Sequence, residues 1–391
     1  MPEFLYARKG ECCGCEACAN ACPKGIIEMV ADAEGFLYPH ISKTDLCIHC
    51  HKCEKVCPIK NSSQVPDFHE RAIAGYSLSE DEVKMSASGS FATAMAKGFI
   101  NHGGVVYGVA YTNDFLGIEY RRATLISELD CFRTSKYAQA RKNDIFKIVL
   151  ADLKEGRKVL FIGLPCDTYA LQLFLNKEYE NLFICALICH GPTSLKVHQQ
   201  YTSGLICKYQ SRIKAFSVRY KKEGWKPYYI RAEFENGNVY LEKFAQSTYG
   251  VAFLYMKRHS CNECTIKRSK IHSDITIGDY HLAAGGQVKP YNPEGVSSAL
   301  VHTNKGEYLV SIAENFSYEG IPVKNALYSE AYCKAIPARR NREEFGHAFA
   351  EGGLEAACDL KSIRSIEKKL ARKAWVRKQG VKIKRLIFGK K

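Results

Sequence analysis

The sequence predicts an α+β or mixed α/β protein, a small cysteine-rich module followed by a larger mixed α/β body. Two copies of one four-cysteine pattern fill the first sixty residues. Beyond Arg71 the apolar residues switch between helical and strand-like spacing, and beyond Arg212 β-forming runs punctuated by turn residues take over. With 391 residues and 46% hydrophobic content, the chain can bury a sizeable core and more than one unit. The expected divisions are residues 1–62, 71–150 and 151–345, the last two being halves of the body, and a basic tail at 346–391.

The first module has little periodicity, two Cys-Pro pairs and half of the eighteen cysteines, so metal must hold it together. Cys12-x2-Cys15-x2-Cys18-x3-Cys22-Pro23 recurs as Cys47-x2-Cys50-x2-Cys53-x3-Cys57-Pro58. This is the bacterial-ferredoxin run, in which three thiolates on one tight loop grip three corners of a 4Fe-4S cubane and the fourth ligates the other cluster. The expected ligand sets are therefore Cys12, Cys15, Cys18 and Cys57, and Cys47, Cys50, Cys53 and Cys22. Structural zinc also uses C-x2-C pairs, but it needs neither a third cysteine at the same spacing nor a fourth before proline. Cys13, beside a ligand, is expected to pack.

Asn61 to Glu70 reads as a linker. Ser88 to Asn101 has helical spacing and Gly104 to Tyr111 is a β-rich run. Val159 to Gly163 and Leu182 to Ile188 are apolar enough to be strands buried on both faces. Phe216 to Arg219, Tyr228 to Phe234 and Val239 to Leu241 continue as strands, the last two joined at Asn236-Gly237-Asn238 as a hairpin. Ser362 to Lys378 carries a helical apolar stripe with basic flanks.

Both buried strands run into cysteine-bearing loops, Gly163-Leu164-Pro165-Cys166 and Cys189-His190-Gly191-Pro192, and Cys261-x2-Cys264 follows. Four thiolates would complete a third cubane. Spacing alone leaves this open, because free cysteines are often buried small hydrophobes. Cys131, Cys185, Cys207, Cys333 and Cys358 have no ligand spacing.

No run of about eighteen apolar residues appears, and Met1 to Gly14 lacks the pattern of an export signal, so a cytoplasmic protein is expected. Most of the formal charge of +15 lies from Lys361 onward, where thirteen basic residues face one acid, Glu367. With Trp375, Leu386, Ile387 and Phe388 among lysines, this tail is expected to contact an anionic membrane surface at the inner face. Nucleic acid is not an expected partner, since the tail has two aromatic residues and no recognition motif.

Five ordered blocks carry a resemblance that covers Cys12 to about Leu282. They are Ser86-Ala-Ser-Gly-Ser-Phe-Ala-Thr93, Ser135-Lys136-Tyr137-Ala138-Gln139, Gly163-Leu-Pro-Cys-Asp167, Cys189-His-Gly191, and Cys261 through Asp279 with Ser273-Asp274-Ile-Thr-Ile-Gly278-Asp279. The sequence resembles the family of coenzyme F420 hydrogenase/dehydrogenase beta subunits, in the version with a ferredoxin domain fused at the N-terminus. The resemblance implies a flavin-binding body, FAD beside a third 4Fe-4S cluster on Cys166, Cys189, Cys261 and Cys264, and hydride exchange with a deazaflavin or another small organic donor or acceptor. Similar proteins resemble reductases of chlorophyll intermediates or occur in polysaccharide loci.

Within those blocks, Ser88, Gly89 and Ser90 precede a helical run whose N-terminus can receive a pyrophosphate. Lys136 can pair with a phosphate or reduced ring, and Tyr137 can stack on it. Asp274, Gly278 and Asp279 are expected to touch the ribityl chain or a cluster, and His190 to relay a proton. Three positions depart from the family pattern, Ser90 and Thr134 where glycine is usual and Asp167 where glutamine is. The negative charge of Asp167 should lower a neighbouring cluster's potential. The expected activity is an FAD and iron-sulfur oxidoreductase fed by ferredoxin or another redox partner. The alternative is a non-catalytic subunit that carries electrons between a partner enzyme and a carrier.

Overall fold

In the computed structural model, which describes residues 4–366, the first sixty residues form α1 (Ala17–Ala21), the hairpin β1 (Ile27–Ala31) and β2 (Leu37–Ile41), and α2 (Lys52–Lys55). So short a segment cannot bury a core of its own. Ile26, Ile27, Ile41 and Cys53 make a small local cluster, whereas Cys13, Cys15, Ala17, Phe36, Tyr38 and Val56 join the main core of the body.

The body begins with β3 (Arg71–Ser77), α3 (Glu80–Lys84), α4 (Phe91–Asn101), β4 (Val105–Tyr111) and β5 (Ile118–Ala123). It continues through α5 (Ile145–Lys154), β6 (Val159–Gly163), α6 (Pro165–Leu175), β7 (Leu182–Leu187) and α7 (Leu195–Tyr209). A separate antiparallel sheet follows, made of β8 (Ile213–Lys221), β9 (Tyr228–Phe234) and β10 (Val239–Lys243). Then come α8 (Thr248–Tyr255), α9 (His259–Asn262), β11 (Ile275–Asp279), β12 (Ser297–Val301), α10 (Asn304–Ser311), β13 (Phe316–Ile321), α11 (Val323–Ala326), α12 (Glu330–Cys333) and α13 (Arg342–Asp359).

Eight strands form the main sheet in the order β13-β3-β12-β11-β7-β6-β4-β5. The central four are parallel, and β5, β12, β3 and β13 add antiparallel edges. Because side chains alternate along a strand, Val105, Tyr107, Val159, Phe161, Leu182 and Ile184 face one core with α5, α6 and α7. Val106, Leu160, Phe183 and Cys185 face the other, against α4 and α10. The mixed α/β reading holds, and the apolar runs at 159–163 and 182–187 are central parallel strands.

Residues 61–70, expected as a linker, are hydrogen-bonded along their length. Asn61 Nδ2 donates to the carbonyls of Glu54, Lys55 and Cys57, Ser63 Oγ meets the Tyr169 hydroxyl at 2.9 Å, and Val65 N donates to Ser269 O at 2.7 Å. These bonds lay the connection along the body. The expected helix at Ser362 to Lys378 is described only at its start, where 361–366 are helical and Ile363 is buried in the main core; its remainder, Trp375 and the rest of the membrane-surface segment lie outside the described residues. Among the described residues, no helix is long and apolar enough to cross a membrane.

Candidate metal centres and adjoining cleft

The duplicated loops cross over. One recess of about 370 Å³ is lined by Cys22, Cys47, Cys50 and Cys53, together with Ile27, Ile41 and Ile48. A second, of about 460 Å³, is lined by Cys12, Cys15, Cys18 and Cys57, together with Met29 and Pro39. Each recess takes its last cysteine from the other repeat. Cys53 lines both recesses. Among the described residues no three or more His, Cys, Asp or Glu side chains converge on a single-ion point; the thiols stand around the recesses.

The third set comes together where the parallel strands end, the usual place for a ligand on such a sheet. Cys166 opens α6 after β6, Cys189 follows β7, and Cys261 and Cys264 arrive on and just after α9. Burial and the neighbouring Cys166 push the Cys189 thiol up to about 12. Burial, Cys189, Cys166 and Cys264 push Cys261 well above its ordinary value. A cationic core that takes these sulfurs as thiolates relieves that crowding, so the donor set fits an iron-sulfur group.

Between the first and third sets lie three side chains that ligand spacing does not reveal. Cys13, 8% exposed, is within hydrogen-bonding reach of both Cys15 and Cys166. Lys142 lies 3.0 Å from Asp167, which also accepts from the Tyr120 hydroxyl at 3.0 Å. Against a burial that favours the neutral amine, Asp167 and Glu16 hold Lys142 protonated. Asp167 therefore arrives with its counter-ion. Arg258, fully buried, donates to Cys12 O at 2.7 Å and approaches Cys12 Sγ at 3.4 Å.

Beyond the third set lies a largely buried basic cluster, the candidate cleft of this body. Asp279 ends β11 and pairs with Arg219 of β8 at 2.8 Å. Burial favours the neutral acid there, but Arg219 and His281 outweigh it and hold Asp279 below the usual carboxylate range. The Arg219 guanidinium lies 4.1 Å from the Tyr228 ring centre, and His281 Nδ1 is 3.3 Å from Lys226 Nζ. The Arg219 Nε and the Tyr228 hydroxyl are buried without a hydrogen-bond partner. Cationic and aromatic side chains in this arrangement suit an anionic, ring-bearing group such as a flavin nucleotide.

Tyr137 is brought to this cleft, with Arg219 and Asp279 as charged neighbours and its ring stacked on Phe253 at 4.4 Å. Ser88 comes near through Lys221, whose Nζ donates to the Ser88 carbonyl at 2.8 Å, while Trp225 Nε1 donates to Ala87 O at 3.1 Å. Gly89 packs on the sheet, where a Cβ would lie 2.4 Å from Gly75 O. Ser90 caps α4 in a left-handed conformation, φ 72°. Gly278 admits the Ile188 side chain, 2.7 Å from a Cβ built on it. His190 is exposed, 3.4 Å from Ser329 Oγ, with His281 and Asp279 of the cleft among its charged neighbours.

Two expectations need correction. Asp274 and Asp279 sit at opposite ends of β11 and cannot share one ligand; the Asp274 carboxylate is spent on Ile184 N at 2.8 Å and Thr303 Oγ1 at 2.6 Å, tying β7 to the start of α10. The Lys136 ammonium turns to the carbonyls of Cys131 at 2.8 Å and Arg133 at 2.7 Å. Burial draws its pKa down to about 7, against which those acceptors favour the charged form.

Sequence reasoning missed Arg219, Lys221, Tyr228, His281, Lys142 and Arg258. Arg219 and Lys221 occupy alternate positions of β8, so strand periodicity applied to Phe216 through Lys221 would have placed both on one face. Arg258 stands three residues before the Cys261 pair. Nothing local marks Lys142.

Comparison with known proteins adds the following. Residues 156–321 match the family described as the C terminus of the coenzyme F420 hydrogenase/dehydrogenase beta subunit, and residues 11–61 match the 4Fe-4S dicluster domain. The F subunit of the F(420)H(2) dehydrogenase from Methanosarcina mazei is 20% identical over 314 residues, covering 76% of this chain and 80% of that protein. A chain in the xenon-derivatised F420-reducing NiFe hydrogenase complex from Methanosarcina barkeri shares 17% identity at a TM-score of 0.47, over 74% of this chain and 96% of that one.

Proposed function

Because residues 11–61 are a 4Fe-4S dicluster domain and residues 156–321 belong to the C-terminal family of coenzyme F420 hydrogenase/dehydrogenase beta subunits, we propose that this chain is an iron-sulfur flavoprotein oxidoreductase. It exchanges electrons with a one-electron protein carrier at its N-terminal module and hydride with a small organic partner, of which a deazaflavin is the first candidate, at the Asp279 cleft. The observation that carries the proposal is spatial. Twelve cysteines fall into three sets in a row, Cys53 between the second and first, Cys13 between the first and third, and the third beside the cleft. Iron-sulfur clusters supply single electrons and a flavin supplies pairs, so together they join the two kinds of chemistry.

The residues divide the work. Leu46 and Ile48, 49% and 55% exposed, and the exposed Cys50 present an apolar rim at the second set for a redox partner. Arg219 and Lys226 supply positive charge for a pyrophosphate, and Tyr228 supplies an aromatic face beside Arg219. Tyr137 borders the ring position. Asp279 keeps Arg219 oriented. His190, between the third set and the cleft, is the candidate for proton delivery, while Lys136 stabilises the loop that carries Tyr137. A polysaccharide-linked substrate and tail contact with the inner membrane surface belong to the same proposal.

The test is anaerobic purification with iron, sulfide and flavin counted, followed by reduced deazaflavin, nicotinamides and ferredoxin offered as donors. About twelve irons with one FAD, and reduction by a hydride donor, is the expected result. Full iron without flavin would favour the second reading, a subunit that relays electrons for a partner enzyme, which the exposed apolar rim at Leu46 and Ile48 equally supports.

A further inference from the structure

Lys142 and Arg258 are both buried between the first and third cysteine sets, but they keep different company. Lys142 is paired with Asp167, so that site is close to neutral. Arg258 is 0% exposed and has hydrogen bonds to Cys12 O at 2.7 Å, Leu37 O at 2.7 Å, Gln139 Oε1 at 3.0 Å and Cys12 Sγ at 3.4 Å. None of these partners is a carboxylate. Its guanidinium also lies 4.2 Å from the Tyr38 ring centre and 5.7 Å from that of Phe36.

A buried cation without an anion is strongly unfavourable, and carbonyls and aromatic faces compensate it in part. The anions that can complete the compensation are the ligand sulfurs nearby, those of Cys12 and Cys261. Cys12 belongs to the first set and Cys261 to the third. The surrounding backbone is shaped around the guanidinium. Gly14 takes a left-handed φ of 68°, and a Cβ there would lie 2.7 Å from Arg258 Nη1. Cys261 N donates to Arg258 O at 3.0 Å, fixing the side chain's origin to the third set.

We propose that Arg258 is a counter-ion shared by the first and third clusters, raising the reduction potential of both so that an incoming electron rests beside the cleft instead of at the outer second cluster. The inference rests on the cluster reading above. One electron from an external protein carrier adds one negative charge, and Arg258 stabilises that charge by position, with no proton taken up. The second set has Cys50 at the surface, and the lysines lining its recess, Lys24 and Lys52, are exposed, where water and salt screen their charge. Arg258 is thus a positioning residue that acts on potential, and two clusters of three should feel it.

The experiment is an anaerobic redox titration of the full-length holoprotein followed by electron paramagnetic resonance, with iron counted in each preparation. Wild type is compared with Arg258→Gln, which keeps hydrogen bonding without charge, and Arg258→Lys, which keeps charge. A Cys50→Ser variant identifies the signal of the second cluster. Two signals should move to lower potential in the Gln variant while the second cluster's stays, and all three should stay near wild type in the Lys variant. Full iron with unchanged potentials in the Gln variant overturns the proposal, and so does an equal shift of all three. Loss of iron from the Gln variant alone shows the same dependence on charge. Loss from both variants overturns it, because shape and not charge would then be the requirement. A wild-type protein without clusters would instead fail the underlying reading, a distinct outcome.

Discussion

Thr134 and Ser90 hold left-handed backbone conformations, φ 63° and 72°, where a Cβ is crowded by the carbonyl oxygen that follows it. Both are positions at which the family resemblance expects glycine, so these departures carry local strain. Thr134→Gly should stabilise the protein by about 0.5–1 kcal/mol, the relieved strain less the added freedom of the unfolded chain, seen as a higher urea midpoint. Ser90→Gly should gain less, because Ser90 Oγ accepts from Ser86 Oγ at 2.9 Å. At Lys221, burial and the neighbouring Arg219 draw the pKa down to about 7, whereas the unfolded chain holds that proton up to about pH 10.4. Between those values the unfolded state binds more protons, so this residue makes stability rise with pH. Lys221→Met should remove that increment, and the gap between mutant and wild type should close from pH 7 to pH 10 in parallel denaturation curves. Residue identity alone hid such effects. Asp274 and Asp279 bracket the same five-residue strand in sequence, and pairing partners decided that one holds the fold and the other faces the cleft.

The elements legible from sequence were those whose signal is local. The apolar runs of β6 and β7 needed no partner to be recognised, and Asn236-Gly237 set the β9–β10 turn, with Gly237 at φ 86°. The edge strands were not legible: β13 is largely exposed, and β12, Ser297–Val301, reads as a strand only once β3 and β11 flank it. α13 matters for a reason its own sequence does not show. Arg342 Nη1 and Nη2 grip the Glu34 carboxylate at 2.6 and 2.5 Å, clamping the turn between β1 and β2. Arg342→Met should cost about 3–5 kcal/mol by leaving that carboxylate with only His259 at 3.8 Å, and adding Glu34→Leu should recover part of the loss in a double-mutant cycle. Independent effects of the two changes would show that the grip carries no coupling.

On the scale of the whole molecule, the cysteine spacing pointed to the two N-terminal ligand sets and only the family resemblance to the third, whereas the line the three form depends on docking that no motif encodes. Glu16 accepts from Arg141 Nε at 3.1 Å and from the Lys142 and Asn143 amides at 3.1 and 3.3 Å, and Gln139 Nε2 donates to the Cys13 and Gly14 carbonyls at 2.8 and 3.0 Å. These bonds fix the first set against the third. Cys166→Ser should therefore reduce iron from about twelve to about eight per chain and cut off electron delivery to the cleft while the two outer clusters remain reducible, measured by iron assay and stopped-flow spectroscopy. If iron is unchanged, Cys166 is not a ligand. Phe36, Tyr38 and Val56 share one core with Tyr107 and Phe161. Such continuity restricts inheritance: a foreign dicluster unit spliced in at residue 62 would bring its own electron acceptors yet fit none of the sockets prepared for this one. The two parts of the gene must then drift together, and a successful chimaera would have to carry the Glu34 turn, the Glu16 loop and their receptors across as one piece.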